Sequence, residues 1–151
     1  MTYGELTEFA SNQDIIIKEL PLTSSDGRIK GNKIAIRHDI ETNEAKACTL
    51  AEELGHYFTS IGDILDTTNQ NAAKQELRAR RYAHDLLIDY DLLYQAKLTG
   101  CSNIAEVAEC LWITEEFLKE ALENLESRYG SNYHVGQYHI SFNPFDIELI
   151  T

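Results

Sequence analysis

A carboxylate and an imidazole lie four residues apart in the segment Glu52-Glu53-Leu54-Gly55-His56. In a helix, Glu52 and His56 project from the same face, because residues four apart are neighbours on a helix surface. A glutamate oxygen and a histidine nitrogen are both ordinary ligands of zinc. Glu53 adds a carboxylate that can take and return a proton. The segment therefore predicts a metal site with an acid–base group beside it.

These residues follow the order of the zinc-peptidase signature H-E-x-x-H, with its first histidine replaced. In that signature the histidines bind the metal and the glutamate takes a proton from metal-bound water. Here Glu52 stands in the first ligand position, Glu53 in the base position and His56 in the second ligand position. A second anionic ligand offsets more of the ion's charge, and hard oxygen ligands admit manganese. We expect weaker metal binding and slower hydrolysis than in an intact signature.

A helix must present this motif, and the sequence predicts one from Thr42 to Thr59. Thr42 is a suitable N-cap, and Glu44 lies in the first turn, where a carboxylate opposes the positive end of the helix dipole. Apolar side chains recur at helical spacing along it and predict burial: Ala47, Leu50, Ala51, Leu54 and Phe58.

Short β-branched segments precede this helix, and an amphipathic helix follows it. The segments predict a small three-stranded sheet: Ile15–Leu20, Arg28–Lys30 and Lys33–Arg37. The second helix is expected from about Ala72 to Ile88. Its core candidates are Leu77, Tyr82, Leu86 and Leu87.

Beyond Asp89 the pattern changes to shorter helices. Three are expected: Asp91–Thr99, Asn103–Cys110 and Thr114–Tyr129. A hairpin over Tyr133–Phe142 follows them, closed by Pro144. Helix, short turn, helix and hairpin together resemble a winged helix. We therefore predict two domains, a core of residues 1–89 and a helix-turn-helix-like unit of residues 90–151.

The residues around the motif resemble the ImmA/IrrE family of metallopeptidases. Cys48–Tyr57 is similar to the family's active-site helix, and Gly62-Asp63-Ile64-Leu65 is similar to members on phages and integrative elements. Other segments resemble its strand before that helix, its next helix and its C-terminal unit: Asn32–Ile36; Glu76, Ala79, Tyr82, Ala83, Leu86 and Leu87; and Ala105–Leu118. The resemblance spans about Ile15 to Phe142.

This resemblance implies an α+β, mostly helical fold with a zincin-like core and a C-terminal winged-helix-like unit. It also implies that Glu76 is the third metal ligand beside Glu52 and His56, with Glu53 as general base. The metal would be zinc, with manganese as the alternative. His84 lies two turns beyond Glu76 and is a candidate auxiliary to the transition state. Spacing alone also allows a simpler reading, in which Glu76 pairs with Arg80 at i, i+4 and His56 is a hydrogen-bonded core residue.

The formal net charge of −12 favours a basic protein or a cation as partner over nucleic acid or anionic lipid. The region Ser102–Tyr129 carries seven acidic and two basic residues, which argues against a DNA-reading helix. The apolar runs of the whole chain are too short for a membrane span, and the N-terminus lacks a signal pattern, so we expect a cytoplasmic protein. The three cysteines have no C-x-x-C spacing and predict neither a disulfide framework nor a cysteine–zinc cluster.

The sequence is compatible with three functions. The first is a metal-dependent endopeptidase that cleaves a helix-turn-helix repressor of a phage or mobile element and so relieves repression. The second is a noncatalytic antirepressor that binds the repressor without cleaving it, its acidic surface engaging a basic domain. The third is an unrelated helical protein whose acidic motif is coincidental.

Overall fold

The computed structural model describes residues 1–60 and 69–150. It divides into two compact units, Met1–Leu87 and Ile88–Thr151. The family-like segment Gly62–Leu65 lies outside the described residues. Within those residues, six helices and two three-stranded sheets confirm the α+β, mostly helical class. The zincin-like core and the winged-helix-like unit remain predictions.

The first unit opens with helix α1, Tyr3–Asn12, and a mixed three-stranded sheet. Thr2 and Glu5 form a capping box at the start of α1. The strands are β1 (Ile16–Leu20), β2 (Gly27–Lys30) and β3 (Lys33–Arg37), in the spatial order β1-β3-β2. β1 runs parallel to β3 and β2 antiparallel to it, which confirms the small sheet. β2 is therefore an edge strand.

Two long helices complete this unit: α2, Asn43–Thr59, and α3, Asn69–Leu87. The Thr42 side chain accepts a hydrogen bond from the Ala45 N–H, so α2 begins where the sequence predicts. α2 packs along α3 and also contacts β2 and β3. The fully buried side chains between these elements include Ile34, Ile36, Leu50, Leu54 and Leu87.

One core candidate of α3 is wrong. Leu77 is 41% exposed, whereas Ala79, Ala83 and Leu87 are buried. Small alanines occupy the buried stripe of α3 because α2 approaches it closely, and a larger side chain is displaced to solvent. Hydrophobicity alone therefore misplaced the inner face of this helix by part of a turn.

The second unit contains three helices followed by an antiparallel sheet. The helices are α4 (Tyr90–Leu98), α5 (Ile104–Cys110) and α6 (Glu115–Tyr129), with N-caps Asp89, Asn103 and Thr114. The sheet has β4 (Asn132–Val135), β5 (Tyr138–Ser141) and β6 (Asp146–Leu149) in sequential order. The predicted hairpin is thus extended by β6, since the chain turns at Asn143-Pro144 and pairs again with β5.

No helix among the described residues combines the length and the apolarity that crossing a membrane requires.

Candidate active site

Helix α2 sets the exposure of each residue of the motif. Leu54 and Gly55 are buried on its inner side, Glu52 is exposed, and Glu53 and His56 are half-buried at the margin. The apolar spacing of α2 fixes this arrangement, because the buried leucines turn one face towards the sheet and α3. The motif therefore lies along the edge of a packed helix, with its acid–base candidate partly shielded from water.

The carboxyl group of Glu53 lies directly against the backbone of strand β2. A Cβ atom added at Gly27 would lie 2.6 Å from Glu53 Oε1 and 2.8 Å from its Cδ. Only a residue without a side chain leaves this space to the carboxyl group. Gly27 therefore determines where the Glu53 side chain can lie, and nothing in the sequence motif signals that role.

His56 and Glu76 meet across α2 and α3. His56 Nε2 lies 3.2 Å from Glu76 Oε2, and Arg80 Nε lies 3.4 Å from Glu76 Oε1. The carboxylate of Glu76 thus takes part both in the predicted ligand pair with His56 and in the i, i+4 ion pair with Arg80. Both the His56 and the Glu76 side chains are partly open to solvent, at 33% and 49%, so the pair is reachable from outside.

Gly55 permits this close approach of the two helices. A Cβ atom at position 55 would lie 2.2 Å from the carbonyl oxygen of Ala79, a backbone atom that cannot swing away. Ala79 is itself buried, one turn from Glu76 on α3. The small pair Gly55 and Ala79 therefore brings Glu76 within reach of His56.

The electrostatic surroundings tie Glu53 to this pair. Burial is the main influence and raises the pKa of Glu53, the charge of His56 lowers it, and the charge of Glu76 raises it again. A raised pKa makes the carboxylate a better proton acceptor. Glu53, His56 and Glu76 thus act on one another electrostatically.

Two of the three predicted ligands lie side by side. The 3.2 Å between His56 Nε2 and Glu76 Oε2 suits a hydrogen bond between the two side chains, and both atoms are of types that bind zinc. Glu52 is exposed. Over residues 1–60 and 69–150, no three His, Cys, Asp or Glu side chains are grouped so that they could hold a metal ion. The assignment of Glu52, His56 and Glu76 as metal ligands stays a prediction.

His84, the candidate auxiliary, is 3% exposed and lies within the core. Ala83, which precedes it, and Leu87, almost one turn later on α3, are also fully buried. The auxiliary role is untested. The exposed His38, before α2, has its Nδ1 3.4 Å from the Leu20 carbonyl oxygen.

A sequence model of the IrrE N-terminal-like domain, peptidase family M78, matches residues 10–123, most of the chain. The chain belongs to this IrrE-like family. The match confirms the predicted family and indicates a metallopeptidase-like protein. It includes the motif on α2, the pairing helix α3 and strands β1 to β3. No curated protein and no solved structure matches the chain.

Membership of the IrrE-like family gives the geometry a chemical context. The family is one of typically metal-dependent peptidases, and His56, Glu76 and Glu53 are of residue types that such chemistry uses as ligands and as acid–base groups. Gly27 and Gly55 are the residues of this site that the sequence did not single out. The sequence offered one indication of the role of Gly55: it lies within the motif, between the apolar Leu54 and the predicted ligand His56.

Proposed function

We propose that this IrrE-like protein is a metal-dependent endopeptidase that cleaves a helix-turn-helix repressor of a phage or mobile element and thereby relieves repression. The observation that supports the proposal is the approach of His56 Nε2 to Glu76 Oε2, 3.2 Å across two helices, beside a half-buried Glu53. A solvated i, i+4 ion pair would require neither the close helix contact nor the acid–base group. The repressor as substrate follows from the family resemblance.

The residues divide the chemistry among them. His56 and Glu76 would hold a zinc or manganese ion, with Glu52 as the third ligand, and the ion supplies Lewis acidity towards a peptide carbonyl and a water molecule. Glu53 takes a proton from the attacking water and returns it to the departing amine. Its raised pKa suits both steps, because the group must bind the proton before it releases it.

Metal content and cleavage together test this proposal. The protein would be reconstituted with zinc or manganese, and bound metal measured by mass spectrometry for wild type, His56→Ala, Glu76→Gln and Glu53→Gln. We expect about one ion per chain in wild type and in Glu53→Gln, and loss of most of it in His56→Ala and Glu76→Gln. His38→Ala is the matched control, since it removes an exposed histidine of the same unit.

Cleavage would be measured on the helix-turn-helix repressor encoded beside the protein's own gene. Wild type and His38→Ala should generate two repressor fragments, whereas Glu53→Gln should retain its metal and lose about 100-fold or more of the rate, the usual contribution of a positioned acid–base group. Wild-type protein that binds no metal after reconstitution, or Glu53→Gln that cleaves at the wild-type rate, would contradict the proposal.

A noncatalytic antirepressor is the second candidate. Glu52 is exposed and belongs to no three-ligand group within residues 1–60 and 69–150, which favours it. The outer surfaces of α5 and α6 carry exposed glutamates suited to a basic partner: Glu106, Glu109, Glu115, Glu116 and Glu123. A reporter gene under the repressor's control separates the two candidates. Derepression that survives in both Glu53→Gln and His56→Ala, with the repressor intact, identifies the binder.

A further inference from the structure

Two cysteines face each other in the second unit, which contains none of the residues of the proposed active site. Cys101 follows the end of α4, and Cys110 is the last residue of α5. Their Sγ atoms lie 3.7 Å apart, and both side chains are half-buried. The third cysteine, Cys48, is buried in α2 of the first unit. Neither proposed function uses the pair.

The sulfurs are close to the geometry of a disulfide. A disulfide requires sulfurs about 2.0 Å apart, so the pair must close by about 1.7 Å. Cys101 lies in the turn after α4, where Gly100 has φ +85° and the Cys101 N–H donates a hydrogen bond to the Ala96 carbonyl oxygen at 3.1 Å. Closing the gap therefore takes rotation of the two side chains together with a small shift of this turn.

Cys101 is also the sulfur that a small oxidant reaches. It lines two surface cavities of this unit, one beside Asn103 and Leu122 and one beside Lys97 and Asp146. Cys110 is not among the residues that line either of these two cavities. Burial is the main cause that raises the pKa of the Cys110 thiol, which disfavours Cys110 as the first group to react. The arrangement assigns attack to Cys101 and resolution to Cys110.

We propose that Cys101 and Cys110 are a redox modification site, which a hydroperoxide converts reversibly into an intramolecular disulfide. The Cys101 thiolate attacks one oxygen of the hydroperoxide, the O–O bond breaks, and the products are a sulfenic acid at Cys101 and water or an alcohol. Cys110 then attacks the Cys101 sulfur, the S–O bond breaks, and water leaves with the Cys110 proton. Two thiols lose two electrons and the hydroperoxide gains them.

The bond would join the end of α4 to the end of α5 and restrain the turn between them. A dithiol reductant restores both thiols by exchange. The site is independent of the metal chemistry, because the cysteines lie outside the proposed ligand set. Its failure and the failure of the peptidase proposal are therefore separate results.

The experiment counts thiols in the full-length chain after treatment with hydrogen peroxide. Fully reduced protein, freed of reductant, is oxidised briefly, and its thiols are measured after denaturation. We expect the count to fall from three to one, with a mass about 2 Da lower from the loss of two hydrogens. Peptide mapping should link Cys101 to Cys110, and dithiothreitol should restore three thiols.

Three variants and one condition make the result specific. Cys48→Ser should form the same bond, whereas Cys110→Ser should accumulate a sulfenic acid at Cys101 that dimedone traps, and Cys101→Ser should keep its thiols. The same oxidation in concentrated urea should form the bond at least 10-fold more slowly, since the fold holds the sulfurs together. A bond between chains, oxidation of single cysteines without a link, or equal rates in native and denatured protein would overturn the proposal.

Discussion

At the scale of single residues, the environment of Glu53 gives the site its most direct pH signature. Burial raises its pKa above that of an exposed carboxyl group, with His56 opposing and Glu76 adding to the shift. A group whose pKa is raised on folding binds its proton more tightly in the folded chain. The stability it contributes is therefore present at low pH and is lost as the pH rises through the folded pKa.

Replacing Glu53 by glutamine should therefore stabilise the protein at neutral pH. Glu53→Gln removes a carboxylate that is costly to bury and keeps its shape, so we expect the Tm at pH 7 to rise by a few degrees at most, because the group remains partly solvated. The gain should shrink as the pH falls below the raised pKa, where wild type is also neutral. Thermal melts from pH 4 to pH 8 would measure it.

Glu52→Gln is the matched control for that measurement, with all proteins metal-free because Glu52 is also a predicted ligand. It removes the same charge one residue earlier on α2, from an exposed side chain, and should leave the difference in Tm small at every pH. A Tm of Glu53→Gln below that of wild type at pH 7 would show that the carboxylate is stabilised in the folded protein, contrary to this account.

Gly27 is a second residue whose effect can be predicted from contact geometry. A Cβ at this position would lie 2.6 Å from Glu53 Oε1, and a flexible side chain can move aside at little cost to the fold. We expect Gly27→Ala to keep a Tm near that of wild type while repressor cleavage falls about 10- to 100-fold, because the acid–base group is displaced.

The control for Gly27→Ala is Gly4→Ala, where the added Cβ would meet only Thr2 Oγ1, at 3.9 Å. Gly4→Ala should change neither the Tm nor the rate of repressor cleavage much. Cleavage by Gly27→Ala at the wild-type rate would mean that Glu53 works equally well from a displaced position.

The sequence predicted the residue types of this site better than their arrangement. Because Glu52 and His56 are four residues apart on a predicted helix, they can be proposed as neighbours from the sequence. The family resemblance added Glu76, which does contact His56. The contact between Gly27 and Glu53 joins an edge strand to a helix, and no local pattern encodes such a pairing. The exposure of Glu52 likewise depends on how α2 is rotated against its neighbours.

At the scale of elements, local chemistry determined the helix ends and tertiary packing determined their faces. Thr42 caps α2 as the sequence predicts, and Asn103 and Thr114, the first residues of two predicted helices, cap α5 and α6. In each case a side-chain oxygen accepts a hydrogen bond from an exposed backbone N–H at short range. The misplaced Leu77 and the additional strand β6 have a different cause. Both depend on what packs or pairs with the segment, which the segment itself does not specify.

The contact between α2 and α3 should be the most sensitive element contact in the first unit. Gly55→Ala places a Cβ 2.2 Å from the Ala79 carbonyl oxygen, so the helices must separate. We expect a loss of unfolding free energy of about 1–3 kcal/mol, at the upper end because the atoms of α3 that the added Cβ meets belong to the backbone. Separation should also weaken metal binding, since His56 and Glu76 lie on opposite helices. Urea unfolding and metal titration would measure the two effects.

Glu52→Ala, an exposed change on the same helix, is the control for the unfolding measurement in metal-free protein, where its predicted role as a ligand has no effect. It should not lower the unfolding free energy. A Gly55→Ala protein as stable as wild type would show that α2 and α3 can separate freely, and the pairing of His56 with Glu76 would then not depend on close helix packing.

At the scale of the whole molecule, the chain combines two compact units with a strongly acidic charge. The sequence predicts a boundary near residue 89 from the change to shorter helices, and the units are Met1–Leu87 and Ile88–Thr151. Each has its own buried leucines and its own sheet. We expect each to unfold cooperatively by itself, and the chain's only tryptophan, Trp112, lies in the second.

Trp112 fluorescence can therefore report on the second unit alone. Leu118→Ala removes a 1% exposed side chain from that unit and should cost about 2–5 kcal/mol, a large part of the roughly 3–10 kcal/mol expected for a unit of this size. Its fluorescence midpoint in urea should fall accordingly. Leu54→Ala makes an equivalent cavity in the first unit, so it should lower the midpoint seen by far-ultraviolet circular dichroism. The unfolding free energy obtained from Trp112 fluorescence should stay within about 0.5 kcal/mol of wild type. Equal fluorescence shifts in both variants would mean that the two units unfold as one.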